Sequence, residues 1–486
     1  MGSEISTPAS GAAPDSHVDT GWGAIVSGGR WPRFALVCAG VWLNAAEVMM
    51  TATIMPSVAA DIRGDAWFGW VVAIYLIGSI VAGATAGRLA QSLGLKRALG
   101  VGGVTYAIGC AAAAIAPTIG LFIAGRLLQG IGGGWVVGLC FVAITRLFPQ
   151  TLWPRVLSSM AFVWGVASLI SPLIGGLFAQ AGFWRGAFWL FAFQGVAFVA
   201  AAFFLVPAPT APEEAPAGRI PFSSIGALTA AILAIAAAGL SSSVAQSAAL
   251  AATGCALLGG FLYLNAKAAA PLIPRQAANP RSGTGAGLAM IFCMTAGTAS
   301  ISVYLPALMQ RLYGASPLLA GYLLVSEAMS WSLAAFLVAG RPHASRFIRV
   351  GGVLIVAGMV LFALILPHGG LWLIPVATIV EGVGFGVCWS FTISRFVANA
   401  PQGEQAIASA SAPTMQSIGT AVGSAASGVI AGLIGFGQGI TVGRATLGGF
   451  WLFAAFVPLT ALGAVAAWRL AAPRFEPVHP APDTIG

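Results

Sequence analysis

Four charged residues lie deep inside apolar stretches of this sequence: Glu47, Arg126, Glu327 and Glu381. A charge at the centre of a bilayer costs roughly 3 kcal/mol or more on insertion scales, so such residues are retained for pairing or for function. A carboxyl group held away from water resists ionisation and can load and release a proton near neutral pH. The same group can pair with a cationic ligand. Proton and ligand then compete for one site, which is the chemistry of exchange. The alternative for each acid is a protonated carboxyl that donates a hydrogen bond to a neighbouring helix.

Arg126 opens the string Arg126-Leu127-Leu128-Gln129-Gly130-Ile131-Gly132-Gly133-Gly134. Arg126 and Gln129 are spaced to share one helix face. An intramembrane Arg must face a carboxylate or a water-filled cavity. A fixed cation near Glu47 would favour the ionised acid and make proton release depend on their separation. The alternative is an Arg that snorkels to the outer interface. The four His (His17, His343, His368, His479) fall in tails or loops, and the six Cys lie in apolar runs without ligand spacing, so no metal or other cofactor is expected.

The elements that must position these side chains follow from composition. Charged residues make up 7% of the 486 residues and hydrophobic residues 58%, with a mean hydropathy of +0.91. A soluble domain carries about 25% charged residues. A soluble enzyme and a disordered chain are therefore excluded, and a polytopic all-α membrane protein remains. Spanning helices need about 20 apolar residues each. Fourteen candidate spans meet that need, at 34–56, 66–87, 98–116, 119–147, 156–180, 186–206, 223–241, 247–266, 284–310, 316–340, 348–367, 371–394, 406–434 and 446–470. The pair 223–241 and 247–266 is the least marked. Glu47 falls 13 residues into its span, and Glu327 and Glu381 fall 11 and 10 residues into theirs. At about 1.5 Å per residue all three acids lie near mid-membrane.

Basic residues set the orientation. With the N-terminus in the cytoplasm, 17 of the 22 Lys and Arg fall at cytoplasmic ends and loops, and only Arg63, Arg185, Arg311 and Arg444 fall outside. The net charge of +9 thus reads as membrane orientation, and nucleic-acid binding is not indicated. Residues 1–33 contain no apolar signal core and read as a cytosolic tail. The 64 Gly include the clusters Gly130, Gly132, Gly133, Gly134 and Gly382, Gly384, Gly386, which permit close helix approach. Trp42, Met49, Met50, Trp164, Phe292, Trp331 and Trp389 are candidates to line a substrate cavity, since Met and aromatic faces suit varied lipophilic ligands, including cations.

The Arg126 string resembles the fourth-helix motif of proton-coupled transporters of the major facilitator superfamily. The loop Gly87-Arg88-Leu89-Ala90-Gln91-Ser92-Leu93-Gly94-Leu95-Lys96-Arg97 is similar to that superfamily's cytoplasmic signature. Ser171-Pro172-Leu173-Ile174-Gly175-Gly176 resembles the antiporter motif of drug-exporting members. Glu47, nine residues before Pro56, with Thr51, Thr53 and Asp61 nearby, resembles the first-helix pattern of the fourteen-span drug:proton antiporters. Three departures stand out. Gln91 replaces the usual acid, Ser158, Ala167 and Ser171 replace Gly, and Glu47 replaces the usual Asp. Gly340-Arg341 after span ten echoes Gly87-Arg88 after span two, as expected of two repeated halves.

The resemblance implies a major facilitator-type fold of 14 transmembrane helices. It consists of a tail at 1–33, a six-helix bundle at 34–206, a linker with two extra helices at 207–283, a second six-helix bundle at 284–470 and a cytosolic tail at 471–486. It implies proton-driven antiport of lipophilic, cationic small molecules or drugs across the cytoplasmic membrane. Glu47, Arg126, Gln129, Glu327 and Glu381 would couple protons to substrate. Gly87, Arg88, Gly94, Arg97, Gly130, Pro172, Gly175 and Gly176 would govern conformation. The partners expected are a small-molecule substrate, protons and the lipid bilayer, with a monomer as the expected state. The rival readings are an exporter of one metabolite, peptide or siderophore-like compound, and a non-transporting receptor or scaffold. An enzyme is not expected, because the sequence offers no Ser/His pair and no nucleotide loop.

Overall fold

The computed structural model describes residues 23–26, 29–62, 68–207, 221–241, 243–269, 271–315, 317–368, 370–434 and 442–475. Most of both expected tails, and the Glu213-Glu214 segment, lie outside the described residues. The described chain is all helical. A short α1 (Gly23–Val26) precedes α2 (Trp31–Ile62), α3 (Phe68–Leu93), α4 (Leu95–Ala114), α5 (Ile119–Leu147), α6 (Trp153–Gln180) and α7 (Trp184–Leu205). The pair α8 (Phe222–Leu240) and α9 (Val244–Lys267) follows. Then come α10 (Gly283–Tyr313), α11 (Pro317–Val338), α12 (Ala344–His368), α13 (Ile374–Ala398), α14 (Gln405–Leu433), α15 (Val442–Ala454) and α16 (Val457–Leu470).

The sequence sets the breaks between these helices by ordinary means. Gly94 adopts φ 76°, which separates α3 from α4. Thr118 caps α5, its side chain accepting from Leu121 N at 3.5 Å, and Ser243 caps α9 by accepting from Gln246 N. Proline stands in the first turn of α6, α13 and α16, where its missing N–H is not needed.

Eleven stretches of the described residues are long and apolar enough to cross a membrane. The expected fourteen are not reached by that measure, for identifiable reasons. The apolar parts of α8 and α11, Phe222–Ala238 and Leu323–Val338, are shorter. The 29 residues of α14 hold seven Ser and Thr, which lower its hydropathy. Thr446–Leu470 forms one apolar stretch although the helix breaks between α15 and α16. Several helices also outrun their expected spans. Gly87 and Arg88 lie within α3 rather than in a loop after it. Two left-handed residues follow α11, Gly340 at φ 71° and His343 at φ 72°, and Gly340-Arg341 lie past the helix end at Val338. The expected echo of Gly87-Arg88 in Gly340-Arg341 is therefore out of register.

Helices α2 to α7 pack on one another, and so do α10 to α16. Small residues make the closest approaches. A Cβ on Gly130 would stand 2.2 Å from Tyr75 O of α3, and one on Gly132 would stand 2.2 Å from Tyr106 N of α4. Backbone thus meets backbone where α5 crosses both neighbours. Gly132→Ala is expected to cost about 1–3 kcal/mol by overpacking. Gly176→Ala should be neutral, since nothing lies within 4 Å of a Cβ there. Thermal unfolding of the two variants in detergent checks the contrast, and equal midpoints would refute it.

The α8–α9 pair covers the seam between α3 and α14. Leu228, Ile232 and Phe261 pack with Ile77 and Ile80 of α3 and Ile418 of α14. Asn265 fixes the exit of α9. Its Oδ1 accepts from Leu272 N at 2.7 Å and Ile273 N at 3.2 Å, and its Nδ2 donates to Ile273 O at 2.9 Å. Asn265→Ala leaves buried backbone N–H groups without acceptors. The expected cost is about 2–3 kcal/mol, seen as a lower melting midpoint. An unchanged midpoint would show that water replaces the amide.

Candidate functional site

The centre of the first half is a buried ion pair. Glu47 of α2 and Arg126 of α5 form a salt bridge through Oε1 and Nη1, with the two side chains 0% and 2% exposed. The pair is not isolated. Thr51, one turn beyond Glu47 on α2, donates its hydroxyl to Glu47 Oε1 at 2.6 Å. Arg126 Nη1 also donates to Gln129 Oε1 at 2.6 Å, and Gln129 Nε2 donates to Cys110 Sγ of α4 at 3.1 Å. The guanidinium carbon stands 4.4 Å from the centre of the Tyr75 ring. Tyr75 in turn donates to Asn44 Oδ1 at 2.7 Å, and Tyr106 donates to Leu43 O at 3.0 Å. Four helices therefore hold one cation and one anion out of water. Glu47 Oε2 and Arg126 Nε are left without a hydrogen-bond partner. That is a costly state for a buried charge pair.

Three members of this site are not evident from sequence. The sequence does not single out Tyr75 or Asn44, and Cys110 reads as a small core residue. Their only signal is that each is polar or polarisable within an apolar run. Asp61, close to Glu47 in sequence, belongs elsewhere. It pairs with Arg185 Nη1 at 2.5 Å and accepts from Trp184 Nε1 at 3.2 Å at the exposed end of α2. Those two donors hold its carboxyl below the usual carboxylate range. The pairing is therefore complete above that range and is lost as pH falls through the lowered value.

In the second half, Glu381 of α13 is fully buried, and neither of its carboxyl oxygens has a hydrogen-bond partner. The half-buried Glu327 of α11 places its carboxyl beside it. Trp331 stacks on Phe385 with ring centres 4.6 Å apart and planes at 9°, and Trp389 meets Trp331 edge-on at 5.5 Å. The structure thus joins two of the cavity candidates, Trp331 and Trp389. The others are dispersed. Trp42 donates to Gln194 Oε1 at 3.0 Å. Met50 is buried with its carbonyl 3.0 Å from a Cβ built on Gly175, Met49 is half-buried, and Trp164 is exposed on α6. Phe292 packs against the α8–α9 cluster. Pro172 lies in the backbone of α6, and its side chain is outside the described ones.

The two halves meet at the end of the bundle that carries most of the basic residues. A Cβ on Gly87 would stand 2.8 Å from Ile407 Cα, and one on Gly83 would stand 2.7 Å from Thr414 Oγ1. Ser332 of α11 donates to Ala161 O of α6 at 3.0 Å. Arg88 donates to Pro271 O at 2.9 Å and to Gln91 Oε1 at 3.1 Å, and Gln91 reaches Gly403 O at 3.3 Å. Gln91 thus works by hydrogen bonding where an acid would have worked by charge. Arg275 adds an ion pair to Glu404 at 3.8 Å. Gly340, in its left-handed conformation, leaves room for the Arg155 guanidinium against its Cα. Arg97 is exposed at the start of α4.

The sequence model of the Major Facilitator Superfamily matches residues 37–424 of the chain. The chain belongs to the Major Facilitator Superfamily. It is 29% identical over 451 residues to a probable multidrug-efflux transporter of Mycobacterium tuberculosis, covering 89% of this chain and 93% of that one. A 146-residue stretch is 30% identical to Multidrug resistance protein 3 of Bacillus subtilis, covering 30% and 28% of the two chains. The fold is that of solved superfamily members. A human organic anion transporter superposes with a TM-score of 0.67 over 90% of this chain and 99% of its own, at 12% identity. A proton:xylose symporter superposes with a TM-score of 0.65 over 91% and 96%, at 14% identity. This superfamily member is a multi-pass membrane protein, and its family and fold are those of transporters rather than enzymes.

Proposed function

We propose that this superfamily member is a proton-coupled antiporter that exports lipophilic, cationic small molecules across the cytoplasmic membrane by alternating access. The observation that carries the reading is the buried Glu47–Arg126 pair, with one carboxylate oxygen left unpartnered. A proton arriving at Glu47 would discharge the pair and release Arg126 to Gln129 and Tyr75. Relative movement of α2 and α5 then accompanies proton loading. The multidrug-efflux relative, similar over nearly the whole chain, supports export of drugs as the direction and substrate class.

The fuller topology belongs to the same proposal. Fourteen crossings divide into six-helix bundles at 34–206 and 284–470, joined by a linker at 207–283 that holds the extra pair. Both termini lie in the cytoplasm, where the basic end of the bundle faces. The contacts among Gly87, Ile407, Ser332, Ala161, Arg275 and Glu404 close that end. The conformation is therefore one closed at that end, with the Glu47–Arg126 pair buried. Glu327 and Glu381 serve the second half.

Proteoliposomes with an imposed proton gradient test this. Uptake or release of a lipophilic cation such as ethidium should follow the gradient and collapse with a protonophore. Equal flux with and without the gradient would refute proton coupling.

A further inference from the structure

The C-terminal end of α16 carries more positive charge than its fold requires. Thr446–Leu470 is apolar enough to cross a membrane, so Leu470 marks the level of the bilayer's polar edge. Leu462, Val465 and Trp468, three residues apart, are exposed on one side of α16 and face the hydrocarbon. The helix end is held by its neighbours. Arg349 of α12 donates to Ala471 O at 3.0 Å, Arg395 of α13 to Leu470 O at 3.4 Å, and Asn399 to Phe475 O at 3.0 Å. Those terminal carbonyls have their donors, so neither Arg469 nor Arg474 is needed to cap them. Both Arg are exposed, and both line a groove of about 470 Å³ with Ala464, Val465, Trp468 and Ala472.

No acid of the packed helices answers this charge. Among the described residues, α10, α12, α16 and the turn Pro473–Phe475 hold none, and α13 holds only Glu381, toward its other end. The first half supplies the comparison. α7 packs on α4 as α16 packs on α12. Phe203 is third from the end of α7 and Trp468 third from the end of α16. Lys96 of α4 stands 4.2 Å from the Phe203 ring centre, and the Arg349 guanidinium carbon of α12 stands 5.3 Å from that of Trp468. The next residue is the exposed Phe204 in the first half and Arg469 in the second. One geometry thus ends in apolar surface in one half and in a basic, tryptophan-walled groove in the other.

We propose that this groove binds one anionic phospholipid, with Arg469 and Arg474 holding its phosphodiester and Trp468 and Val465 receiving the upper part of an acyl chain. Guanidinium forks match phosphate oxygens in geometry and charge. Tryptophan suits the boundary between headgroup and hydrocarbon, where one end of the ring is wet. Basic pockets at the edge of a membrane bundle recognise anionic headgroups in this way. A zwitterionic lipid fits less well, because its ammonium adds a further cation beside the two Arg. The docked helix end keeps both Arg on a rigid platform, so the lipid finds the site formed. The site rests on the chain crossing the membrane and not on what it exports.

Native mass spectrometry of the delipidated full-length protein in neutral detergent tests this, with phosphatidylglycerol and phosphatidylcholine of matched chains as probes. Wild-type protein should take one phosphatidylglycerol in clear preference to phosphatidylcholine. Each basic residue beside an anionic headgroup is worth roughly fivefold, so Arg469→Gln/Arg474→Gln should lose about 25-fold in phosphatidylglycerol affinity and much less for phosphatidylcholine. Arg281→Gln/Arg341→Gln removes the same charge from exposed positions outside the groove and should keep the preference. Equal losses in the two double variants would reduce the effect to the diffuse field of the basic end and overturn the site. Glu476→Gln, which removes the acid next along the chain, should change nothing, and a gain of about tenfold would give the groove to the C-terminal tail instead. Excess inorganic phosphate should leave the lipid bound, and its displacement would mean a site for free phosphate. Wild-type protein that binds both lipids equally would overturn the proposal without any variant.

Discussion

Glu47→Gln is expected to lower proton-coupled efflux by about 100-fold or more, the equivalent of roughly 3 kcal/mol in the coupled step. Gln keeps the shape of Glu and can still accept from Thr51 and Arg126. It cannot load a proton or carry the charge that holds Arg126 in place. Binding of substrate at a separate place would survive, so the loss should fall on coupling rather than on affinity. Efflux assays in cells and proton flux in vesicles check this, with surface expression measured in parallel. Full coupled activity in a folded Glu47→Gln protein would remove Glu47 from the mechanism.

The second large effect concerns stability and is unequal between the partners. Removing one member of a buried ion pair costs about 3–5 kcal/mol, because the other charge is left uncompensated. The two survivors differ in what they can do about it. A lone Glu47 can take up a proton and become neutral, whereas a lone Arg126 stays charged at any physiological pH. Glu47→Gln should therefore destabilise more than Arg126→Leu. The double variant Glu47→Gln/Arg126→Leu should recover part of the loss, since no buried charge remains. The predicted order of melting midpoints is wild type, then the double variant or Arg126→Leu, then Glu47→Gln lowest. Additive losses in the double variant would mean that the pair is not energetically coupled.

Much of this site was legible in the sequence because charge has few options in an apolar run. Glu47 and Arg126 had to find partners, and three-residue spacing put Gln129 on the face of Arg126. The helices that carry them followed from hydropathy alone. What the sequence hid depends on tertiary approach. Tyr75 becomes a wall of the site only because Gly130 lets α5 press against its backbone. Cys110 becomes an acceptor only because Gln129 reaches across to α4. The proximity of Glu327 and Glu381 was equally invisible, since 54 residues and two turns of the chain separate them.

Other features misled for physical reasons. Hydropathy undercounts α14, whose hydroxyls bond to its own backbone and so satisfy themselves within the helix, as Ser409, Ser411, Ser417 and Ser427 do. Gly87-Arg88 looked like a loop because Arg is rare in a span. The chain instead continues as helix to Leu93, and Gly94 makes the turn. Cys255 lies in an apolar run, as a core residue would, but is exposed on α9. Asp61 was close to Glu47 in sequence, but four turns of helix carry it to Arg185.

The central claim is that Glu47 couples proton movement to export, and one measurement reaches it directly. Purified protein is placed in liposomes with a pH-sensitive dye inside, an inward-acidic gradient is imposed, and lipophilic cations are added one at a time. The account predicts proton release that depends on the added cation in wild-type vesicles and is absent with Glu47→Gln. Proton release of equal size in the two, or none in wild-type vesicles holding folded protein, would contradict it.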